Sequence, residues 1–189
     1  PNGNVYVVWA IYDDWFGAGY EEALGFTKST DGGASFDTPT RIIEDIKGVR
    51  GGVTKNQRVN SFPVMATDQQ TGTLYIVWAN YGTPGDNSGT NVSVYIIKSD
   101  DEGDTWSDPI RVNQGPFESG KEAYLPWITC DPENGILSVI FYDDRNVSST
   151  QVETWVANSF DGGETWEDFR VSDVAFTPAP ISGLATGYM

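Results

Sequence analysis

The chain has 189 residues, and its 27 acidic residues outnumber its 11 lysines and arginines, which gives a formal net charge of −16. Such a surface repels phosphate backbones and anionic lipids, and no apolar run is long enough to span a bilayer, so we expect no nucleic-acid partner and no direct membrane insertion. The absence of histidine excludes Ser-His-Asp and Cys-His catalysis, and a single cysteine, Cys130, excludes a disulfide framework.

Short runs of β-branched and aromatic residues follow one another along the chain, and they are separated by turns rich in Gly, Asp and Asn. Helical periodicity of useful length is absent, so the pattern predicts an all-β protein. The predicted strands are, in chain order, 5–10, 23–28, 40–43, 62–67, 74–79, 92–98, 110–112, 125–130, 137–142, 152–158 and 169–171.

An octapeptide with the pattern Ser-x-Asp-x-Gly-x-Ser/Thr-aromatic recurs three times, beginning at Ser29, Ser99 and Ser159. Similar predicted strands flank each copy, so the chain consists of repeated units of about 65 residues. Four short strands per unit, repeated radially, are typical of a β-propeller, whereas a β-sandwich does not explain the recurring octapeptide. The predicted organisation is a partial β-propeller over 1–189, with an incomplete blade at 1–48, blades at 58–113 and 121–173, and a connection toward a next blade at 174–189.

The repeated residues of the octapeptide are predicted to build a turn and not to bind a ligand, because a turn is needed in every unit and a catalytic group only once. The aspartate accepts hydrogen bonds from its own loop, the glycine permits positive φ, and the aromatic ring is expected to be buried between neighbouring sheets. These structural residues are Asp31, Gly33, Phe36, Asp101, Gly103, Trp106, Asp161, Gly163 and Trp166.

The octapeptide resembles the Asp-box, or bacterial neuraminidase repeat (BNR), of the sialidase-like β-propeller family, and the resemblance extends over about residues 1–171. It implies a six-bladed propeller of which this chain supplies about three blades, and an extracellular or cell-surface location. The remaining blades would come from a longer chain, which we favour, or from associated copies. The resemblance does not decide activity, because it covers sialidases, other glycosidases, receptors and non-enzymatic assembly factors alike.

Long segments between the predicted strands all fall on the propeller face opposite the octapeptides, because connections alternate between the two ends of an up-and-down sheet. Long loops on a rigid scaffold are where binding residues concentrate, and aromatic rings beside charged groups suit sugars. The candidate ligand-binding residues are Trp15, Tyr20, Arg58, Tyr81, Lys121, Tyr124, Asp143, Asp144 and Arg145.

Catalytic residues are not assigned. Glycoside hydrolysis uses two carboxylates or, in sialidases, a tyrosine nucleophile, and these loops contain both residue types. Sialidases resemble one another in an Arg-Ile-Pro sequence that opens an inner strand, but the corresponding sequences here are Ser61-Phe62-Pro63 and Tyr124-Leu125-Pro126. Three recurring arginines, Arg41, Arg111 and Arg170, are predicted on the outermost strands, far from the propeller axis.

No cofactor is expected, and calcium is a minor alternative because adjacent aspartates such as Asp100-Asp101 supply oxygen ligands without EF-hand spacing. The sequence therefore predicts a non-catalytic extracellular module that presents its loops to a glycan or a protein. One alternative is part of a sialidase-type exo-glycosidase, whose active centre is completed by other blades. The other is a subunit of an extracellular structural assembly, in which open sheet edges pair with other chains.

Overall fold

The computed structural model describes residues 3–14, 19–50, 53, 59–86, 88–117, 119–148 and 150–179. These residues contain β-strands and no helix, so no helix of the described segments is long and apolar enough to cross a membrane. The all-β prediction is confirmed. The strands are β1 (Val5–Ile11), β2 (Ala23–Ser29), β3 (Thr40–Ile43), β4 (Val64–Thr67), β5 (Leu74–Tyr81), β6 (Val92–Ser99), β7 (Ile110–Arg111), β8 (Ala123–Cys130), β9 (Leu137–Asp143), β10 (Glu153–Ser159) and β11 (Glu167–Arg170).

Within the described residues the strands form three antiparallel sheets, each built from strands that are consecutive in the chain. The first unit is β1–β2–β3, the second is β4–β5–β6–β7 and the third is β8–β9–β10–β11. The register repeats, since Val5, Leu74 and Leu137 lie opposite the serines that begin the three octapeptides. The repeat seen in the sequence is therefore a structural repeat, with up-and-down sheets of the kind that form propeller blades.

The middle sheet is covered on both faces. Ile76 and Trp78 face the first unit, where they pack with Leu24, whereas Tyr75 and Val77 pack against the third unit. Alternate residues of a strand point to opposite faces, so a strand covered on both sides is apolar over most of its length, as β5 is from Leu74 to Ala79. The inner strands β4 and β8 contact each other, so the units lie side by side like neighbouring blades.

Strand β8 contains an irregularity at Pro126. The register against β9 shifts between Tyr124 and Trp127, and Leu125 has a φ of 53°. Proline cannot donate a ladder hydrogen bond, which is why prolines in sheets occur at edges and bulges. The bulge leaves Tyr124 buried and exposes Leu125 and Trp127 on the opposite side.

The octapeptides form nearly identical turns, which we call box turns (29–36, 99–106 and 159–166). In the second turn the Asp101 carboxylate accepts hydrogen bonds from the Thr105 backbone N–H at 2.8 Å and from its hydroxyl at 2.6 Å. The Ser99 hydroxyl accepts from the Gly103 N–H at 2.8 Å, and Gly103 has a φ of 90°. The predicted roles of the aspartate and the glycine are therefore seen directly.

These hydrogen bonds change the acidity of the box aspartates. Those from the Thr105 hydroxyl and N–H lower the pKa of Asp101 to about 2, and the matching bonds from Thr165 lower the pKa of Asp161 to about 2. The pKa of Asp31 is lowered in the same way by Ser35.

Burial of the box aromatic is confirmed for Trp166, which is 7% exposed, but it is wrong for Phe36, which is 46% exposed. Trp106 and Trp166 each pack on the unit that precedes their own, and no described residue covers Phe36 in that way.

Candidate functional site

The loops that join β1 to β2, β3 to β4, β5 to β6, β7 to β8 and β9 to β10 lie at the end of the sheets opposite the box turns, and we call this end the loop face. A buried apolar cluster lies beneath it, formed by Val49, Val53, Val59, Ala79, Val92, Tyr124 and Val152. The described parts of these loops are therefore held to a packed base, which fixes the side chains that they carry.

Glu21 is a fully buried carboxylate that joins two of these loops, β1–β2 and β3–β4. It accepts hydrogen bonds from the Tyr12 hydroxyl at 2.7 Å and from the backbone N–H groups of Arg50 and Ser61, each at 3.0 Å. Gly48 makes room for it, since a Cβ at that position would lie 2.1 Å from a Glu21 carboxylate oxygen. The Arg50 guanidinium lies 5.2 Å from the centre of the Tyr12 ring, so the cluster also carries a cation.

Tyr20 and Tyr81 come together beside this cluster. Their rings meet edge to face with centroids 6.3 Å apart, and Tyr20 is 41% exposed. The Lys47 ammonium lies 5.6 Å from the centre of the Tyr81 ring, and the Asn80 side chain accepts a hydrogen bond from the Lys47 N–H. Burial, with the nearby charge of Glu122, raises the pKa of Tyr81 to about 12. The result is an exposed aromatic surface with a cation on one side.

Asp143 and Arg145 lie in a different part of the loop face and are paired within the chain. Arg145 donates to Asp143 through Nε and Nη2, at 2.9 and 2.6 Å, and to both carboxylate oxygens of Asp168. Its guanidinium also lies 4.0 Å from the centre of the Trp155 ring. Burial disfavours the charge on Arg145, but the hydrogen bonds to Asp143 and Asp168 outweigh it and raise the pKa of the guanidinium. This geometry ties the β9–β10 loop to β11.

Three further predicted residues are also committed to the fold. Tyr124 is fully buried in the apolar base. Asp144 is 1% exposed and accepts a hydrogen bond from the Glu122 N–H at 2.7 Å, while Lys121 donates to the Asp144 and Val147 carbonyls. Trp15 and Arg58 lie outside the described residues. Of the predicted set, the structure thus brings Tyr20 and Tyr81 together as an accessible group, and ligand contact by any of these residues stays a prediction.

The recurring arginines Arg41, Arg111 and Arg170 lie on β3, β7 and β11, the outer strands, as predicted. Each bonds within its own unit: Arg41 to Asp13, Arg111 to the Gly115 carbonyl, and Arg170 to Glu153. These contacts explain why arginine recurs there without any need for a ligand.

Lys47 and Arg50 are functional candidates outside the predicted ligand-binding set. A charge count would have shown them, because residues 46–67 contain Lys47, Arg50, Lys55 and Arg58 and no acidic residue, in a chain of net charge −16. Among the described residues no three acidic or cysteine side chains are grouped as metal ligands, so the calcium alternative gains no support from them.

The chain is similar in sequence to a known protein. No family model matches the chain. A curated sialidase of Bacteroides fragilis is 23% identical over 183 residues, and the match covers 88% of this chain but 32% of the sialidase. The chain therefore spans about a third of the length of that relative.

Two solved structures show the same fold. A Hadza microbial sialidase superposes with a TM-score of 0.59 at 22% identity, covering 87% of this chain and 34% of its own. An α-L-arabinofuranosidase from Fusarium graminearum superposes with a TM-score of 0.58 at 18% identity, covering 92% of this chain and 46% of its own. The sheets described above match part of each of these larger chains.

Proposed function

We propose that this chain, which has the β-propeller fold of sialidases, is an extracellular glycan-recognition module that contributes about three blades to a larger propeller. The sugar binds on the loop face, against the Tyr20 and Tyr81 rings. The observation that carries this proposal is the exposed Tyr20 ring, held edge to face against the partly buried Tyr81. Pre-oriented aromatic rings offer large contact area at low entropic cost.

The charge of the loop face favours an acidic sugar. Lys47 lies over the Tyr81 ring and Arg50 over the ring of Tyr12 in the adjoining Glu21 cluster, and both cations belong to the 46–67 segment, which has no acidic residue. The rest of the protein is strongly acidic and would repel an anion, whereas here Lys47 and Arg50 offset the nearby carboxylates Glu21 and Glu122, so an anion would meet less repulsion at this place. A carboxylated glycan is therefore the ligand class that we propose.

The contacts of the loop face support recognition without catalysis by these residues. Glu21 and Asp143 are held by hydrogen bonds within the chain, and neither is placed as an exposed acid or base. The raised pKa of Tyr81 opposes formation of the phenolate that a tyrosine nucleophile requires.

The second candidate function is that this chain forms part of the active centre of an exo-glycosidase. The similarity to the Bacteroides fragilis sialidase favours it. In that case residues outside this chain supply the missing groups.

Binding by isothermal titration calorimetry tests the first proposal. We expect the chain to bind carboxylated oligosaccharides more tightly than their neutral counterparts, with an affinity that falls as salt is added. Tyr20→Ala should weaken binding about tenfold, the loss of about 1.4 kcal/mol expected for a contact residue. Phe160→Ala is the matched control, because Phe160 is 67% exposed in a box turn on the other face. Equal binding by wild type and Tyr20→Ala would contradict the proposed site, and turnover of fluorogenic glycosides would support the second candidate.

A further inference from the structure

The segment at the junction of the first two units, residues 45–50, is bonded to both of them, and we call it the strap. On the side of the first unit, the Gly48 N–H donates a hydrogen bond to the Glu21 carbonyl at 2.9 Å. On the side of the second unit, the Lys47 carbonyl accepts a hydrogen bond from the Tyr81 N–H at 2.8 Å. The backbone of the strap is therefore fixed between the units, and the two cations of the proposed sugar site are fixed with it.

The side chain of Glu21 holds the end of the strap. One oxygen of this buried carboxylate accepts a hydrogen bond from the Arg50 backbone N–H, and the other accepts one from the Ser61 N–H, each at 3.0 Å. The Ser61 hydroxyl in turn donates to the carbonyl of Ala79 on β5. One carboxylate of the first unit thus determines where Arg50 lies relative to the second unit.

Glu21 also holds the ring over which the Arg50 guanidinium lies. The Tyr12 hydroxyl donates to the Glu21 carboxylate at 2.7 Å, and the guanidinium carbon lies 5.2 Å from the centre of the Tyr12 ring, close enough for a cation–π interaction. Two contacts of Arg50, its backbone N–H and the ring beneath its side chain, therefore depend on the same carboxylate. Arg50 is partly exposed, whereas Glu21 is fully buried and out of reach of a ligand.

Lys47 is held by other residues. Its N–H donates to the Asn80 side chain at 2.8 Å, and its ammonium lies over the Tyr81 ring. None of the Glu21 side-chain hydrogen bonds just described reaches Lys47 or the tyrosine pair. A change in the Glu21 side chain should therefore disturb Arg50 and leave the aromatic part of the site in place.

We propose that Glu21 is a positioning residue that gives the loop face its preference for carboxylated over neutral sugars. It acts through Arg50, because it holds the guanidinium over the Tyr12 ring, where the guanidinium can donate charge-assisted hydrogen bonds to a ligand carboxylate. This inference rests on the proposed function and adds to it. It assigns recognition of the ligand charge to Arg50 and recognition of the sugar ring to Tyr20 and Tyr81.

The direction of the effect separates positioning from simple electrostatics. Glu21 places a carboxylate beside the proposed anion site, so if only its charge mattered, its removal would strengthen the binding of an anion. If Glu21 positions Arg50, its removal should weaken the binding of a carboxylated sugar and leave the binding of a neutral sugar unchanged. A general loss of structure would weaken the binding of both.

Isothermal titration calorimetry of the 189-residue chain tests this with 3′-sialyllactose and trigalacturonic acid, each compared with its methyl ester. Acid and ester differ in the charge of the carboxyl group, so the ratio of their affinities measures the charge preference. We expect Arg50→Gln to lower this ratio about tenfold and Glu21→Gln to lower it about fivefold, with the affinity for the ester unchanged. Glu22→Gln is the matched control. It removes the neighbouring charge, but the Glu22 carboxylate bonds to the Asp13 N–H and not to the strap, so the ratio should not fall.

A double-mutant cycle identifies the residue through which Glu21 acts. In the Arg50→Gln background, Glu21→Gln should cause no further loss of the affinity ratio, because the cation that it positions is gone. Tyr12→Phe is a milder variant that removes the hydroxyl bonded to Glu21 and keeps the ring, and it should lower the ratio about twofold. Circular dichroism of each variant checks that the fold is retained, and Tyr12→Phe carries the test if Glu21→Gln does not fold.

An unchanged or raised ratio in Glu21→Gln, or in Tyr12→Phe where that variant carries the test, overturns the inference. A further loss of the ratio when Glu21→Gln is added to Arg50→Gln also overturns it, because Glu21 would then act without Arg50. Failure of the proposed function gives a different result. A wild-type chain that binds neither form of either probe overturns glycan recognition and this inference with it. Equal binding of acid and ester by wild type overturns the charge preference and leaves glycan recognition intact.

Discussion

The two ends of this propeller are built in opposite ways. At one end the box turns repeat the same hydrogen bonds, and the bond from the Ser or Thr hydroxyl to the box aspartate measures 2.6, 2.6 and 2.5 Å in the three units. At the other end the loops differ in length, charge and contacts, and their buried carboxylates Glu21, Asp143 and Glu153 each have a different set of partners. The contacts that repeat in every unit are the ones that the scaffold requires. The contacts that differ between loops lie where a ligand-specific surface can form.

The largest effect should come from the loop face, at Glu21. Glu21→Ala removes an acceptor for the Tyr12 hydroxyl and leaves the buried Ser61 N–H and the partly buried Arg50 N–H without their partner. We expect a loss of about 4 kcal/mol in the free energy of unfolding, measured with urea. Glu22→Ala is the control, since the Glu22 carboxylate accepts one exposed hydrogen bond from the Asp13 N–H, and it should cost less than about 1 kcal/mol. Equal costs would show that the loop face is not organised by its buried carboxylate.

A smaller loss of stability is expected at the box turns. Two glycines there allow the cost of backbone strain to be compared with the cost of a clash between units. Gly103 and Gly32 both have positive φ, but a Cβ would meet the Phe26 ring only at Gly103 and open space at Gly32. We expect Gly32→Ala to cost about 1 kcal/mol and Gly103→Ala about 3 kcal/mol in unfolding experiments. Similar costs for both variants would mean that the box turn contributes little to the junction.

The smallest effect that we expect is a change in how the stability of the protein depends on pH. Because the folded-state pKa of Asp101 lies at about 2, below its ordinary value, its contribution to stability is complete above about pH 4 and is lost as the pH falls through 2. The melting temperatures of wild type and Asp101→Asn should therefore differ at pH 6 and converge near pH 2. Asp161→Asn should behave alike, because Thr165 holds that aspartate in the same way. A difference that does not change with pH would exclude this origin.

The fold was accessible from sequence because it rests on local signals. Alternating apolar residues, turn glycines and the octapeptide predicted the strands closely; for example, 74–79 was expected and Leu74–Tyr81 is observed. A local aspartate and hydroxyl, four residues apart, were sufficient to predict the box turn. The exposure of Phe36 was missed because burial of that ring depends on a neighbouring unit and not on its own turn.

The loop face was less predictable because its contacts join residues far apart in the chain. Glu21 meets Ser61 across 40 positions, and Arg145 meets Asp168 across 23. No repeat or spacing in the sequence predicts such pairs. The sequence therefore did not show that Arg145 is bound to Asp143 and Asp168 within the chain. The burial of Tyr124 was not predictable from the sequence either, because the register of β8 against β9 shifts beside it, between Tyr124 and Trp127.

The one-way lysine–acid pairs between units have a practical consequence for protein engineering. Each junction adds one exposed lysine–acid pair, Lys28 with Asp104 or Lys98 with Glu164, to its apolar contacts, so the pair favours one order of units by about 1 kcal/mol or less. Exchanging lysine and acid at these two positions would favour a chosen order when units are joined from separate parts.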